Sequence, residues 1–274
     1  SGGGSRGAFQ AGVWKYLQER KWIPDLISGT SIGAVNAVAI GSGVPAERLI
    51  HLWSTHQRAE IYRFQLLKFL AAILFKRPLR PILDTGQMRE VIRQNIDFTA
   101  LRHSPMEIII SAVNMLTGRL HLYTNREIDI DHLLASSAMP IFFPWQHING
   151  EPYWDGGVMA NSPLFAALKS GMEEVIVVLL SPVGHLPLSF PRTLLEGLEL
   201  VFEHFLSGSY QTTLSAIELA GDLYVPKNKT PRIRVVSPSR MLGFRSLLSF
   251  STQQARQLVD EGYLNARDQL QWLN

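Results

Sequence analysis

The segment Gly29-Thr30-Ser31-Ile32-Gly33 sits between a short apolar run, Leu26-Ile27, and a helix-like stretch at 34–40. A serine on a sharp strand-to-helix turn needs small neighbours on both sides. The turn brings the flanking backbones together and leaves the hydroxyl standing at a helix N-terminus. The pattern therefore predicts a strand, a tight turn and a helix in that order, with Ser31 at the turn and Gly29 and Gly33 allowing it to close. In chemical terms it predicts a serine acyl hydrolase.

A chain of 274 residues, 46% of them hydrophobic, can bury a large core and is read as one α/β domain with a helical insertion. Cysteine is absent, which excludes disulfides and thiolate metal sites without fixing the compartment. A net charge of +3 is too small to argue for nucleic acid and suits an anionic lipid surface. The longest apolar run in the most hydrophobic region, 69–75, falls far short of the ~20 residues of a membrane-spanning helix. The chain begins abruptly at Ser1-Gly2-Gly3-Gly4, where a buried strand is expected just upstream, so the terminus reads as trimmed. Cytoplasmic or peripheral-membrane placement is favoured, and no oligomeric state is read.

Periodicity predicts a helix over 7–20 with Ala8, Ala11, Val13, Tyr16 and Leu17 inward, then a strand over 25–28. The helix after the elbow ends at Gly41 and Gly43, and another spans 45–58 with Leu49, Ile50, Leu52 and Trp53 as its apolar face. Asp84, Asp97 and one of Asp129 or Asp131 read as helix N-caps. Two β-rich runs, 107–113 and 119–123, read as an antiparallel hairpin; a second hairpin turns at Asn149-Gly150 and delivers Asp155-Gly156-Gly157 to a loop. A helix over 163–170 precedes a run around Val175-Ile176-Val177-Val178, expected as a central parallel strand. Helices at 192–223 and 252–270 and a strand at 233–236 complete the reading.

Serine needs a base, an oxyanion hole and a dry cleft. Gly2-Gly3-Gly4-Ser5-Arg6-Gly7 places consecutive residues without side chains at a helix entrance, where unpaired amides and the helix dipole favour negative charge. The same segment fits a dinucleotide fingerprint, with Asp25 near the distance of a ribose-binding acid. That rival fails on context, because Asp25 opens the strand that runs into the elbow. The eight histidines, 51, 56, 103, 121, 132, 147, 185 and 204, sit in no distinctive motif. In an α/β-hydrolase, His185 or His204 would serve after Asp155, but that fold places several strands before the elbow and only 28 residues precede it here. No His-Glu-x-x-His metal spacing occurs.

Taken together, the glycine-rich loop with Arg6, the elbow at Ser31, and Asp155-Gly156-Gly157 resemble the patatin-like phospholipases in order and spacing. The run Ala135-Ser136-Ser137-Ala138-Met139-Pro140 also looks like that family, and the likeness covers about residues 1–180. It implies a three-layer α/β domain spanning 1–274, with a mostly parallel central sheet flanked by helices. It further implies a Ser31–Asp155 dyad without histidine, an oxyanion hole of Gly2, Gly3 and Gly4 amides, and Arg6 and Gly7 fixing that loop. No metal or organic cofactor is implied. The implied activity is cleavage of carboxylic esters in phospholipids, lysophospholipids or acylglycerols. A catalytically idle lipid-binding or regulatory module and a histidine-dependent esterase are the competing readings.

Residues 61–81 are apolar almost all round and edged by Arg63, Lys68, Lys76, Arg77 and Arg80. They read as a lid or membrane-docking insertion giving contact with a membrane or micelle, with a core helix as the equal alternative.

Overall fold

Ile108, Ile109, Ile110, Ser111, Ala112 and Val113 form the body of a strand that is buried at every position, as a strand covered on both faces must be. In the computed structural model, which describes residues 1–76, 81–183, 190–220 and 231–273, this strand organises the sheet. The chain runs α1 (Ala8–Glu19), β1 (Leu26–Thr30), α2 (Ile32–Gly41), α3 (Ala46–Thr55), α4 (Arg58–Ile61), β2 (Arg63–Phe64) and α5 (Leu66–Leu74). It continues through β3 (Leu83–Asp84), α6 (Gly86–Asn95), α7 (Phe98–Arg102), β4 (Glu107–Asn114), β5 (Leu120–Thr124), α8 (Ile130–Ser136), β6 (Gln146–Ile148) and β7 (Glu151–Asp155). The last elements are α9 (Gly157–Ala160), α10 (Leu164–Lys169), β8 (Glu174–Val178), α11 (Leu194–Ala220), β9 (Arg232–Val236) and α12 (Thr252–Gln269).

The register explains how the site is assembled. β5 lies antiparallel along one edge of β4 from Ile109 to Val113. The other edge is shared: β1 runs parallel up to Thr30 opposite Ser111, and β7 comes antiparallel from the far end to Asp155 opposite Ala112. The C-terminal ends of β1 and β7 thus meet head to head at adjacent positions of one strand.

The sheet is mixed rather than mostly parallel. Only β1–β4 is parallel within the five-stranded sheet, because the two hairpins β4–β5 and β6–β7 add antiparallel pairs. The expected central strand also differs. β8 pairs in parallel with β9, not with β1, from which a cavity of about 530 Å³ separates it, lined by Leu26, Ser28, Glu174 and Ile176 among others.

Local signals otherwise act as their chemistry demands. Asp97 and Asp129 cap α7 and α8, accepting the N–H groups of Thr99 and Ala100 and of Asp131 and His132. Asp84 sits one residue before the cap and accepts Gly86 N–H at 2.8 Å. Asn149 and Gly150 take positive φ of 51° and 83° at the β6–β7 turn. The five positions of α1 expected inward are all buried. Positions 221–223 of the long helix, His185, and 77–80 of the apolar insertion lie outside the described residues. Within α5 only Ala72 is buried, while Leu67 and Leu74 are 84% and 76% exposed.

Arg6 is fully buried and tied on every side. Its Nη2 donates to Glu203 Oε1 at 2.6 Å, its Nη1 to Glu203 Oε2 at 3.2 Å and to the Leu180 carbonyl at 2.9 Å, and its Nε to Ser246 Oγ at 2.7 Å. Ser181 Oγ also donates to Glu203 Oε2. One guanidinium therefore joins the glycine loop to the end of β8, to α11 and to residues 243–246. Removing one partner of such a pair strands a buried charge. Glu203→Ala should lower stability by about 3–5 kcal/mol, read from the urea midpoint. A loss no larger than that of an exposed-site substitution would show that the pair does not hold the loop.

Candidate active site

Ser31 occupies φ 56°, ψ −125°, a conformation that costs a non-glycine residue about 1–3 kcal/mol and survives only where its surroundings enforce it. Here they do. Thr30 Oγ1 donates to the Ala160 carbonyl at 2.9 Å and accepts from Ser111 Oγ at 2.6 Å. The Ser31 N–H donates to Ser136 Oγ at 3.0 Å, and its carbonyl accepts the N–H groups of Ala34 and Val35 in the first turn of α2. A Cβ at Gly29 would run into the Gly33 carbonyl, which is the steric demand expected of the elbow. Ser31 stands at the N-terminus of α2, where the helix dipole favours negative charge.

Asp155 ends β7 with 1% exposure. Its N–H donates to the Ala138 carbonyl at 3.0 Å, and its Oδ1 accepts Gly157 N–H at 2.7 Å. Gly156 turns the chain tightly against Ser111. Oδ2 is buried with no hydrogen-bond partner among the described residues. Burial pushes the carboxyl up to about 7, against the opposing pull of the Ser31 side chain and the Gly157 amide. Ser31 thus lies near enough to bias the carboxylate, while the geometry stops short of a formed hydrogen bond. This carboxylate has a free acceptor atom and a proton affinity suited to neutral pH.

Gly2 lies against Ser31: a Cβ on it would come within 2.9 Å of Ser31 Cβ and would collide with Asn161 Oδ1. Its N–H donates to the Asn161 carbonyl at 3.0 Å, so that amide, expected to serve an oxyanion, is engaged. The N–H groups of Gly3 and Gly4 donate to no backbone acceptor among the described residues. Gly3 rests on the Leu180 side chain, Gly4 on the Leu247 carbonyl, and Gly7 against Ile32 and Trp53.

Asn161 carries no motif signal in the sequence, yet it links the glycine loop, the turn after Asp155 and α11. Its Nδ2 donates to the Leu206 carbonyl of α11 at 2.8 Å and to the Gly2 carbonyl at 3.4 Å, and its Oδ1 lies beside Gly157. The available signal was a polar residue closing the Val158-Met159-Ala160 run after Asp-Gly-Gly. Glu203 and Ser136 were likewise given no role; an acid on the buried face of α11, with Leu206 and Tyr210, is the signal for the first.

Among the described residues no imidazole hydrogen-bonds to Ser31 or Asp155. His56 and His103 bond backbone carbonyls, His132 bonds Asp129, His121 faces the Tyr153 hydroxyl, and His204 is exposed. No cluster of metal-ligating side chains occurs among the described residues, and none of their helices is long and apolar enough to cross a membrane.

Residues 1–168 match the family model of the patatin-like phospholipases. A cGAMP-activated phospholipase of Pseudomonas aeruginosa (strain BWHPSA011 / Pa011) is 29% identical over 191 residues, covering 64% of this chain and 55% of its own. One of the same name from Vibrio cholerae serotype O1 is 28% identical over 205 residues, covering 64% and 57%. The chain therefore spans about half the length of the curated relatives it matches. VipD from Legionella pneumophila aligns over 99% of this chain and 66% of its own, with a TM-score of 0.48 and 13% identity. The family match takes in the glycine loop, the Ser31 elbow and Asp155-Gly156-Gly157 alike: the chain belongs to the patatin-like phospholipase family.

Proposed function

We propose that this chain is a lipid acyl hydrolase in which Ser31 attacks the ester carbonyl and Asp155 takes the serine proton. The observation that carries the proposal is the buried Asp155 carboxylate, with Oδ2 unpartnered, beside a serine held in a strained elbow. As the Ser31 oxygen bonds to the carbonyl carbon, its proton passes to Oδ2 and the carbonyl oxygen becomes an oxyanion. The amides of Gly3 and Gly4, with the N-terminus of α2, are the donors that stabilise it. Asp155 then protonates the departing alkoxide. It next draws a proton from the water that hydrolyses the acyl-enzyme, and collapse of that second intermediate restores the Ser31 hydroxyl.

Ser31→Ala and Asp155→Asn should each lower kcat on p-nitrophenyl esters by at least about 10²-fold, the lower end of what a positioned base contributes. Undiminished hydrolysis in Asp155→Asn would return the base role to a histidine. An inert wild type with bound lipid would instead favour the idle module. Because Asp155 must be ionised, kcat/KM should rise with pH through about 7 and level off above it.

Stability should move the opposite way. The folded-state pKa lies above the unfolded one, so the contribution is full below about pH 4 and is lost as pH rises through about 7. At pH 8, Asp155→Asn should be more stable than the wild type, by up to about 4 kcal/mol, as judged by urea titration at both pH values. Equal stability at pH 5 and pH 8 would contradict a desolvated carboxyl.

We further infer that the 61–81 insertion docks on an anionic lipid surface. Phe64, Leu66, Leu67, Leu70, Ile73, Leu74 and Phe75 are all more than half exposed, and Arg63, Lys68 and Lys76 border them. The double variant Leu67→Glu/Leu74→Glu should weaken sedimentation with phosphatidylglycerol vesicles at least tenfold, while circular dichroism confirms the fold. Unchanged vesicle binding would remove this surface from the mechanism.

A further inference from the structure

Ser31 stands one residue beyond the β1–β4 ladder, whose last pair is Thr30 and Ser111, and one residue before α2. Helix α2 draws on its carbonyl and leaves its N–H free, as the first amides of a helix are. Neither element supplies that donor with an acceptor. The acceptor is the Ser136 hydroxyl oxygen, 3.0 Å away and fully buried at the end of α8. Two residues on, the Ala138 carbonyl accepts the Asp155 N–H, also at 3.0 Å. Residues 136–138 therefore brace the backbone of both Ser31 and Asp155, in addition to the strand pairing that brings them together on β4.

The brace is itself fixed at both ends. Before it, α8 packs on α2, β4 and β7, with Leu133 and Ala135 fully buried. After it, the carbonyls of Ile141 and Phe142 accept the N–H groups of Ile82 at 3.0 Å and Leu83 at 2.8 Å. There Ile141 holds φ at 73°, which a β-branched residue adopts only under constraint. Ala138 is nearly as buried as Ser136, so the segment lies where small side chains are needed. A buried hydroxyl in such a place costs free energy unless it is bonded. That of Ser136 bonds the Ser31 amide, the peptide from which the strained elbow conformation starts.

We propose that Ser136 is a positioning residue for the reaction at Ser31: its hydroxyl holds the Ser31 amide, and through it keeps the Ser31 Oγ aimed at Asp155. The proposal rests on the hydrolase reading. Proton transfer needs heavy atoms about 2.6–3.2 Å apart, and a misplacement of about 1 Å costs on the order of 10²-fold in rate. Freeing one peptide plane at a strained residue is enough for a shift of that size.

The test reads the chemistry and the hydrogen bond separately. Ser136→Ala should lower kcat on p-nitrophenyl butyrate at least about tenfold, with KM within about twofold of wild type. Its kcat/KM should still rise through about pH 7, because the burial of Asp155 is unchanged. A folded Ser136→Ala protein with wild-type kcat would overturn the proposal, and so would a displaced pH midpoint, which would make Ser136 a guard of Asp155 instead. Ser136→Cys covers the case in which Ser136→Ala does not fold. It nearly keeps the volume and puts a weak acceptor in place of the oxygen, so kcat should fall likewise; wild-type kcat in that variant would count against the proposal. Hydrogen exchange of the Ser31 amide, followed by NMR without substrate, should quicken at least about tenfold relative to the β4 amides in either variant. Unchanged exchange would sink the proposal. If the wild type hydrolyses no ester through Ser31, the hydrolase reading falls, and the exchange measurement still decides whether Ser136 fixes Ser31.

Discussion

Two strands share one edge of β4, and the site exists because neither can pass the other. β1 must leave the sheet after Thr30 and β7 after Asp155, at positions opposite Ser111 and Ala112. Both exits are pinned to the same residue: Ser111 Oγ bonds Thr30 Oγ1, and the turn at Gly156 lies against Ser111 itself. Strand side chains alternate between faces, so a slip of one residue in the β7 register would carry Asp155 to the opposite side of the sheet. The spacing of Ser31 and Asp155 is thus set by backbone pairing, which is stiffer than a loop.

Two buried acids at equal depth show opposite design. Glu203 and Asp155 are each about 1% exposed. Both oxygens of Glu203 are occupied, by Arg6 and Ser181, as a structural acid requires. Asp155 has one oxygen on the Gly157 amide, and the other has no hydrogen-bond partner among the described residues. A fold that leaves an acceptor dry accepts destabilisation in exchange for a raised proton affinity, and such a group beside a strained serine is what the proposed chemistry requires. The satisfied pair serves the unsatisfied one, since Glu203 holds Arg6 and Arg6 holds the glycine loop over the serine.

Legibility in the sequence follows the range of the cause. The elbow, the caps at Asp97 and Asp129, and the Asn149-Gly150 turn are decided by sterics and hydrogen bonds within a few residues, and their sequence signals place them correctly. The position of β8 is decided by pairing between distant segments, so periodicity identifies the strand but misplaces it at the centre of the sheet, and the pairing of β7 with β4 beyond its hairpin has no local signal. Asn161 escaped notice for the same reason: its partners Gly2, Gly157 and Leu206 come together only once three segments have folded. The Gly2 amide is the sharpest case. Its lack of a side chain suggested an exposed donor, whereas the close approach to Ser31 that demands glycine also brings in the Asn161 carbonyl that takes up its N–H.

The proposed dyad also gives a reason for the helix that closes the site. A lone carboxylate acts as base only while it stays desolvated, so the loops on either side of it must not open to water. α11 holds both. Glu203 binds the glycine loop through Arg6, the Leu206 carbonyl binds Asn161, and Ser209 Oγ accepts the N–H of Ser162. Glu203, Leu206 and Ser209 are spaced by three residues, along one side of the helix. The outward side of its N-terminal half instead exposes Leu194, Leu195, Leu198 and Val201. One helix therefore grips the two loops that keep Asp155 dry and presents an apolar surface to the outside. With no imidazole at the serine among the described residues, the proposed dyad relies on the rigidity of that grip in place of the third member that a histidine triad would supply.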